Sequence, residues 1–180
     1  MHRLFLALPL NPELNAYLDR HLPAYSVPQL RAVPLENRHV TALFLGDIAP
    51  DQLSFISSEC ADIAARHDAF SLRLAAIRPS PKPARPRILW AGMHPENAFL
   101  TLVQDLRDLL NPLLRQPDTR PPRPHITLGR YKKDFRPATP PSTISTPDAP
   151  ILPISQLELW ESHLKPSGAQ YTCRESWPLR

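Results

Sequence analysis

The segments HVTALFLG (residues 39–46) and HITLGR (residues 125–130) decide how the chain is read. Each runs histidine, apolar residue, threonine, then leucine and glycine, and the two histidines lie 86 positions apart. Their apolar, β-prone content predicts a strand in each case, closed by a turn at Gly46-Asp47 in the first and by Gly129 in the second. Side chains two apart on a strand share a face. His39 is therefore expected beside Thr41 and His125 beside Thr127, with Val40, Ala42 and Phe44 turned toward a core. Recurrence of the unit in one chain predicts duplicated halves.

Outward from these segments, Arg3–Leu8 reads as a strand. Its basic start and apolar run have the look of a leader. The run is short, however, and Asn11-Pro12-Glu13 follows without a small-residue cleavage pattern, so a first strand of a cytoplasmic protein is expected. Asn11 predicts an N-cap for a short helix with Leu14, Leu18 and Leu22 on one face. Helical spacing recurs over residues 51–67, through Leu53, Ile56, Cys60 and Ile63. It is strongest over 96–114, through Phe99, Leu102, Val103, Leu106, Leu109, Leu110 and Leu113, with Pro112 as kink or terminator. Further strands are expected over 70–77, 88–91, 154–164 and 169–177, the last two joined as a hairpin through Pro166-Ser167-Gly168. Pro79–Pro86 and Pro117–Pro124 read as stiff basic loops, and Arg136–Pro153 as an irregular surface loop. Strands interspersed with three helices predict an α+β fold in a single domain over residues 1–180, not a doubly wound parallel sheet.

Composition narrows the function. The chain has 180 residues, 42% hydrophobic and 21% charged, enough for one globular core and too apolar for disorder. No apolar run approaches the roughly 18–20 residues of a membrane helix. Prolines number 24 against 4 glycines, which implies stiff connections. Cys60 and Cys173 lack disulfide or metal-ligand spacing and are expected in the core, and Trp90, Trp160 and Trp177 in the core or at its rim. His2, His21, His67, His94 and His163 fall in no pattern and are expected to be structural or at the surface. The net charge is +4, yet Arg115–Arg136 holds seven basic residues against Asp118 and Asp134. Such a patch suits a phosphate-bearing partner, and equally suits a merely solvated face. No Walker loop, G-x-G-x-x-G or G-x-S-x-G is present, which argues against the common NTPase, dinucleotide and serine hydrolase classes.

Two imidazoles and two hydroxyls facing each other about a pseudo-twofold would suit in-line attack on a phosphodiester. One neutral imidazole takes a proton from water while one imidazolium protonates the departing oxygen. The threonine hydroxyls and Arg130 would hydrogen-bond the non-bridging oxygens as charge builds. Two structural histidines in matching strands explain the pattern about as well. A metal site fits less well, because threonine is a poor ligand and no H-x-H, H-E-x-x-H or cysteine cluster accompanies it.

Along nearly its whole length the sequence resembles the RNA 2′,3′-cyclic phosphodiesterases, also called 2′-5′ RNA ligases, of the 2H phosphoesterase superfamily. The resemblance rests on RLFLALPL, VPLENRHVTALFLG, RPRILWAG, RPHITLGR and ESHLKPSGAQYTCRESWPL, with the paired His-x-Thr motifs as its specific part. It implies a bilobal α+β fold, two antiparallel half-sheets around a central groove with helices outside. It implies His39 and His125 as the catalytic pair, with Thr41, Thr127 and Arg130 binding substrate. The implied reaction opens an RNA-terminal 2′,3′-cyclic phosphate to a 2′-phosphomonoester, with His39 as acid and His125 as base. No cofactor and no metal are implied, and reverse 2′-5′ ligation is a further capacity. Implied partners are RNAs with cyclic-phosphate ends, tRNA fragments among them, bound by a monomer with no membrane association. Two alternatives stay open: a 2H enzyme for a small nucleotide or ADP-ribose cyclic phosphate, and a non-catalytic RNA-end-binding protein. The segment Arg136–Pro153 is longer and richer in proline than the family pattern, and the arginine-rich loops over 79–87 and 117–123 read equally as RNA-binding or solvated.

Overall fold

The run Leu4–Leu8 is buried at every position because strand β1 (His2–Pro9) is covered on both faces. A computed structural model of the chain describes residues 1–166 and 168–180. Of the expected Pro166-Ser167-Gly168 turn, Ser167 lies outside the described residues. After β1 come helix α1 (Pro12–His21), β2 (Leu30–Ala32), β3 (His39–Ile48), α2 (Leu53–Arg66), β4 (Phe70–Leu72), β5 (Leu74–Lys82) and β6 (Arg85–Met93). Helix α3 (Asn97–Leu110), β7 (His125–Tyr131), β8 (Ile144–Ser145), β9 (Leu152–Ile154), β10 (Gln156–Lys165) and β11 (Gly168–Pro178) complete the order.

Among the described residues one antiparallel sheet runs β11-β10-β1-β3-β7-β6-β5-β8, and β4 pairs separately with β9. The long sheet is two four-stranded halves that meet where Val40 of β3 faces Ile126 of β7. Past that point the halves part, and β2 takes the vacated edge of β7, with Leu30, Arg31 and Ala32 opposite Tyr131, Arg130 and Gly129. The parting opens a groove between the halves. This is the α+β arrangement of two half-sheets expected from the sequence.

Helices cover the other face. The Asn11 side chain caps α1 by accepting from the Leu14 amide at 3.1 Å. Phe99, Leu102, Val103, Leu106 and Leu110 of α3 form a buried stripe, and the helix ends at Leu110 as Pro112 enters a following 3-10 turn. Helix α3 packs on α2 and β3, while α2 also reaches β10 and β11. Cys60 is in this core as expected.

Several expectations need correction. Phe44 is half exposed, not in the core. Leu6 pairs with Leu43 and Ala7 with Thr41, so Ala42 is an extra residue in a bulge that reverses the alternation. Leu43 therefore enters the core and Phe44 the opposite face. Strand β7 does the same: Leu89 pairs with Gly129 and Trp90 with Thr127, leaving Leu128 as the extra residue. Neither glycine ends its strand. Gly46 sits at a second bulge at φ +77°, a left-handed conformation suited to glycine. Gly129 makes room for β2, since a Cβ there would meet Leu30 Cδ1 at 2.6 Å and the Arg31 carbonyl at 3.2 Å.

Pro79–Pro86 is a hairpin between β5 and β6, not a loop. Strand β8 pairs with β5 at Ala76 and Ile77, and beyond it the outer edge of β5 has no partner among the described residues, where proline is tolerated. The single strand expected over 70–77 is split between β4 and β5. Residues 136–153 include β8 and a buried Thr146, tied down by the Tyr25 hydroxyl 2.9 Å from the Ser142 carbonyl. Cys173 is exposed because β11 is the outermost strand of the sheet. The three-residue β2 carried no periodicity by which to foresee it.

Gly129→Ala is expected to lose about 1–3 kcal/mol of stability, because β2 must shift to admit the new methyl group. Gly92→Ala, whose Cβ would meet only the Ala76 carbonyl at 3.8 Å, should change little. Urea unfolding of both variants checks the contrast, and equal losses would refute it.

Candidate active site

Both histidines open their strands, and both are fixed the same way. The 3-10 turn Leu35–Asn37 delivers β3, and the Asn37 carbonyl accepts from His39 Nδ1 at 2.8 Å. Pro124 ends the proline cluster before β7, and the Arg123 carbonyl accepts from His125 Nδ1 at 2.8 Å. A carbonyl can only accept, so Nδ1 carries the proton in both rings and Nε2 is left for the groove. His39 Nε2 lies 3.0 Å from Thr41 Oγ1, whose hydroxyl donates to it when the ring is neutral.

His39, Thr41, His125, Thr127 and Arg130 all line one groove of about 700 Å³. Arg130 reaches it because of the bulge at Leu128, which strict alternation from His125 would not allow. Phe44 holds the matching position in the other half and lines the groove too. Along 39–45 and 125–131 the pattern of buried and exposed positions is identical.

The surroundings of the two imidazoles differ. His39 lies against Phe5 at 4.8 Å, Trp160 at 5.0 Å and Tyr171 at 5.5 Å between ring centroids. Trp160 is itself held by its indole N–H, which donates to Glu158 at 2.6 Å. Burial, with His125 and Arg130 as nearby positive charges, pushes the His39 pKa down to about 4. His125 stacks on Trp90 at 4.1 Å, and burial, with Arg120 adding to it, lowers its pKa as well. These aromatic neighbours come from β1, β6, β10 and β11. The register of the sheet brings them together, and no local motif marks them.

The loop over 117–124 forms one wall. Asp118 accepts from Arg120 Nε and Nη2, each at 2.9 Å, and Arg107 Nη2 stands 3.6 Å away. These arginines hold the Asp118 carboxyl below its ordinary range. Arg31, Arg123 and Arg130 complete the cationic lining. The other basic segment, at the β5–β6 hairpin, projects elsewhere, with Arg87 bonded to the Lys133 carbonyl. His2 and His163 meet Glu161, His67 meets Asp105 and His21 bonds the Tyr17 carbonyl, all away from the groove. Among the described residues no group of three or more His, Cys, Asp or Glu side chains is placed to hold a metal, and no helix is long and apolar enough to cross a membrane.

Known proteins resemble the chain in sequence and fold. An RNA 2′,3′-cyclic phosphodiesterase of Thermus thermophilus is 31% identical over 99% of this chain and 90% of its own. One from Geobacillus stearothermophilus is 29% identical over 97% of this chain, which spans 56% of that relative's length. The crystal structure of TT0787 of Thermus thermophilus superposes with a TM-score of 0.85 at 30% identity, covering 99% of this chain and 98% of that one. The sequence model of the 2′-5′ RNA ligase superfamily matches residues 20–165, and with these relatives it establishes that the chain belongs to that superfamily.

Proposed function

We propose that the protein is a single bilobal unit that opens the 2′,3′-cyclic phosphate at an RNA end to a 2′-phosphomonoester. The observation that carries this reading is the pair of imidazoles, each locked by Nδ1 to a carbonyl two residues upstream and presenting Nε2 to one groove. His125, the less enclosed ring, takes a proton from the attacking water. The P–O3′ bond breaks, and His39 gives its proton to the departing 3′-oxygen. Solvent exchange then resets both rings. Thr41, Thr127 and Arg130 hydrogen-bond the non-bridging oxygens, where negative charge grows in the transition state. A ribose hydroxyl in place of water, with the steps reversed, gives 2′-5′ ligation. The relatives named as RNA 2′,3′-cyclic phosphodiesterases support the choice of substrate.

Burial, with the positive charges nearby, keeps both rings neutral in the free protein, and an anionic phosphate between them opposes that effect. Substrate therefore raises the proton affinity of the ring that serves as acid. The reaction asks for one charged and one neutral imidazole, and phosphate binding is what produces that pair.

His39→Ala and His125→Ala are each expected to lower kcat/KM by about 10²–10⁴ with the fold intact by circular dichroism. Phosphorus NMR of a short RNA with a cyclic-phosphate end, incubated in excess EDTA, follows the ring signal into the 2′-monoester. Normal turnover by either variant would remove the proposed mechanism. Unchanged substrate recovered bound to wild-type protein would mark an RNA-end-binding protein instead. Equal rates on a mononucleotide and an oligonucleotide, without salt dependence, would mark a small-molecule phosphodiesterase.

The lowered histidine pKa values also fix a pH dependence. The active free protein carries one proton on the pair, so above the pKa of both rings its fraction falls about tenfold per pH unit. With His39 near 4 and His125 below its ordinary 6.5, kcat/KM should decline steadily from about pH 6.5 to 8.5. The kcat profile should lie at higher pH, because bound phosphate raises the acid's pKa. A kcat/KM plateau reaching pH 8.5 would contradict this.

A further inference from the structure

Arg31 of β2 and Arg130 of β7 stand directly opposite each other in register. Both are exposed, and both line the groove. Like charges in facing positions of an antiparallel pair destabilise it. Carboxylates neutralise other arginines of the chain, Asp19 at Arg38 and Asp118 at Arg107 and Arg120. Among the described residues no carboxylate lies within ion-pair distance of Arg31 or Arg130.

The two guanidinium groups reach different places. Arg130 is among the positive charges that lower the His39 pKa. The Arg31 guanidinium instead lies over Gly168, where a Cβ would meet its Cζ at 2.7 Å. Gly168 begins β11, so Arg31 spans from the β7 half to the β10–β11 hairpin. One cation is thus placed for the reacting phosphate, and the next is one strand away toward the hairpin.

We infer that Arg31, beside Arg130, forms a second anion subsite, which takes the internal phosphodiester adjoining the RNA's cyclic end. This deepens the reading of the protein as a phosphodiesterase for RNA ends and rests on it. The subsite distinguishes an oligonucleotide, which carries that second phosphate, from a mononucleotide, which does not. Because both arginines lie on one sheet row, successive phosphates of a single strand meet them in turn.

The test is equilibrium binding, by fluorescence anisotropy, of an RNA trinucleotide ending in a 2′-phosphate. Its last internal linkage is either the ordinary diester or a neutral methylphosphonate. Wild-type protein should bind the neutral-linkage RNA about tenfold more weakly, the scale of one charge-assisted contact. Arg31→Gln should bind the diester about tenfold more weakly and lose nothing further with the neutral linkage. Its salt slope should fall by about 0.7, one phosphate's share for a single strand. Arg31→Lys should retain most of the slope, which separates lost charge from lost folding. The subsite is overturned if the two losses multiply, if Arg31→Gln weakens a mononucleotide 2′-phosphate as much as the trinucleotide, or if binding does not change. Binding requires no turnover, so coupling without hydrolysis removes the catalytic reading alone, and hydrolysis without coupling removes the subsite alone.

Discussion

One extra residue after each threonine sets the chemistry of the groove. Without the bulges at Ala42 and Leu128, a regular strand would send Phe44 and Arg130 into the core face. With them, His39, Thr41 and Phe44 on one strand and His125, Thr127 and Arg130 on the other line the groove, while Val40, Ile126 and Tyr131 stay buried behind it. A bulge also sharpens local twist. The two strands share the pairing at Val40 and Ile126 and then part, which leaves a groove in place of a continuous sheet.

The groove sets two physical demands against each other. Aromatic walls exclude water and strengthen any charge interaction within them, yet the same exclusion resists charging a histidine. His39, enclosed by Phe5, Trp160 and Tyr171, is held neutral by this and by neighbouring positive charge. Arginine escapes the conflict because it stays charged under any ordinary burial. Permanent charge is thus carried by arginine and switchable charge by histidine. Asp118, the carboxylate in the groove wall, is engaged by Arg107 and Arg120, so it does little to weaken the field at the histidines.

Legibility from sequence followed the range of the forces involved. The cap at Asn11, the α3 stripe and its end at Pro112 are local matters of backbone and periodicity, and all were readable. The paired motifs were readable because the repeat itself is a signal. The misplacement of Phe44 came from assuming unbroken alternation, which a bulge violates and which only the register against β1 discloses. Trp90, Trp160, Phe5 and Tyr171 gained meaning through pairings between distant strands, where no spacing rule applies. Gly129 was read as a turn for want of β2, whose close approach is the reason for a glycine there. The prolines over 79–86 suggested a loop because their tolerance in a strand depends on an unpaired edge, a property of the whole sheet.

The two half-sheets supply two equivalent backbones, whereas the proposed acid–base chemistry calls for two unlike imidazoles. The identical burial patterns of β3 and β7 show how closely the backbones agree. The difference comes from what the neighbouring strands add. One half sets His39 among three aromatic rings with Phe44 two positions past the bulge; the other stacks His125 on a single indole, with Arg130 in the matching place. Desolvation is therefore unequal, and the two proton affinities separate even though the hydrogen bonds at Nδ1 are the same. A symmetric pair would have only mutual repulsion to divide one proton between its members. Here side chains that the strand pattern leaves free to vary bias the free protein toward a proton on His125, so bound phosphate has to draw it to His39, the proposed acid.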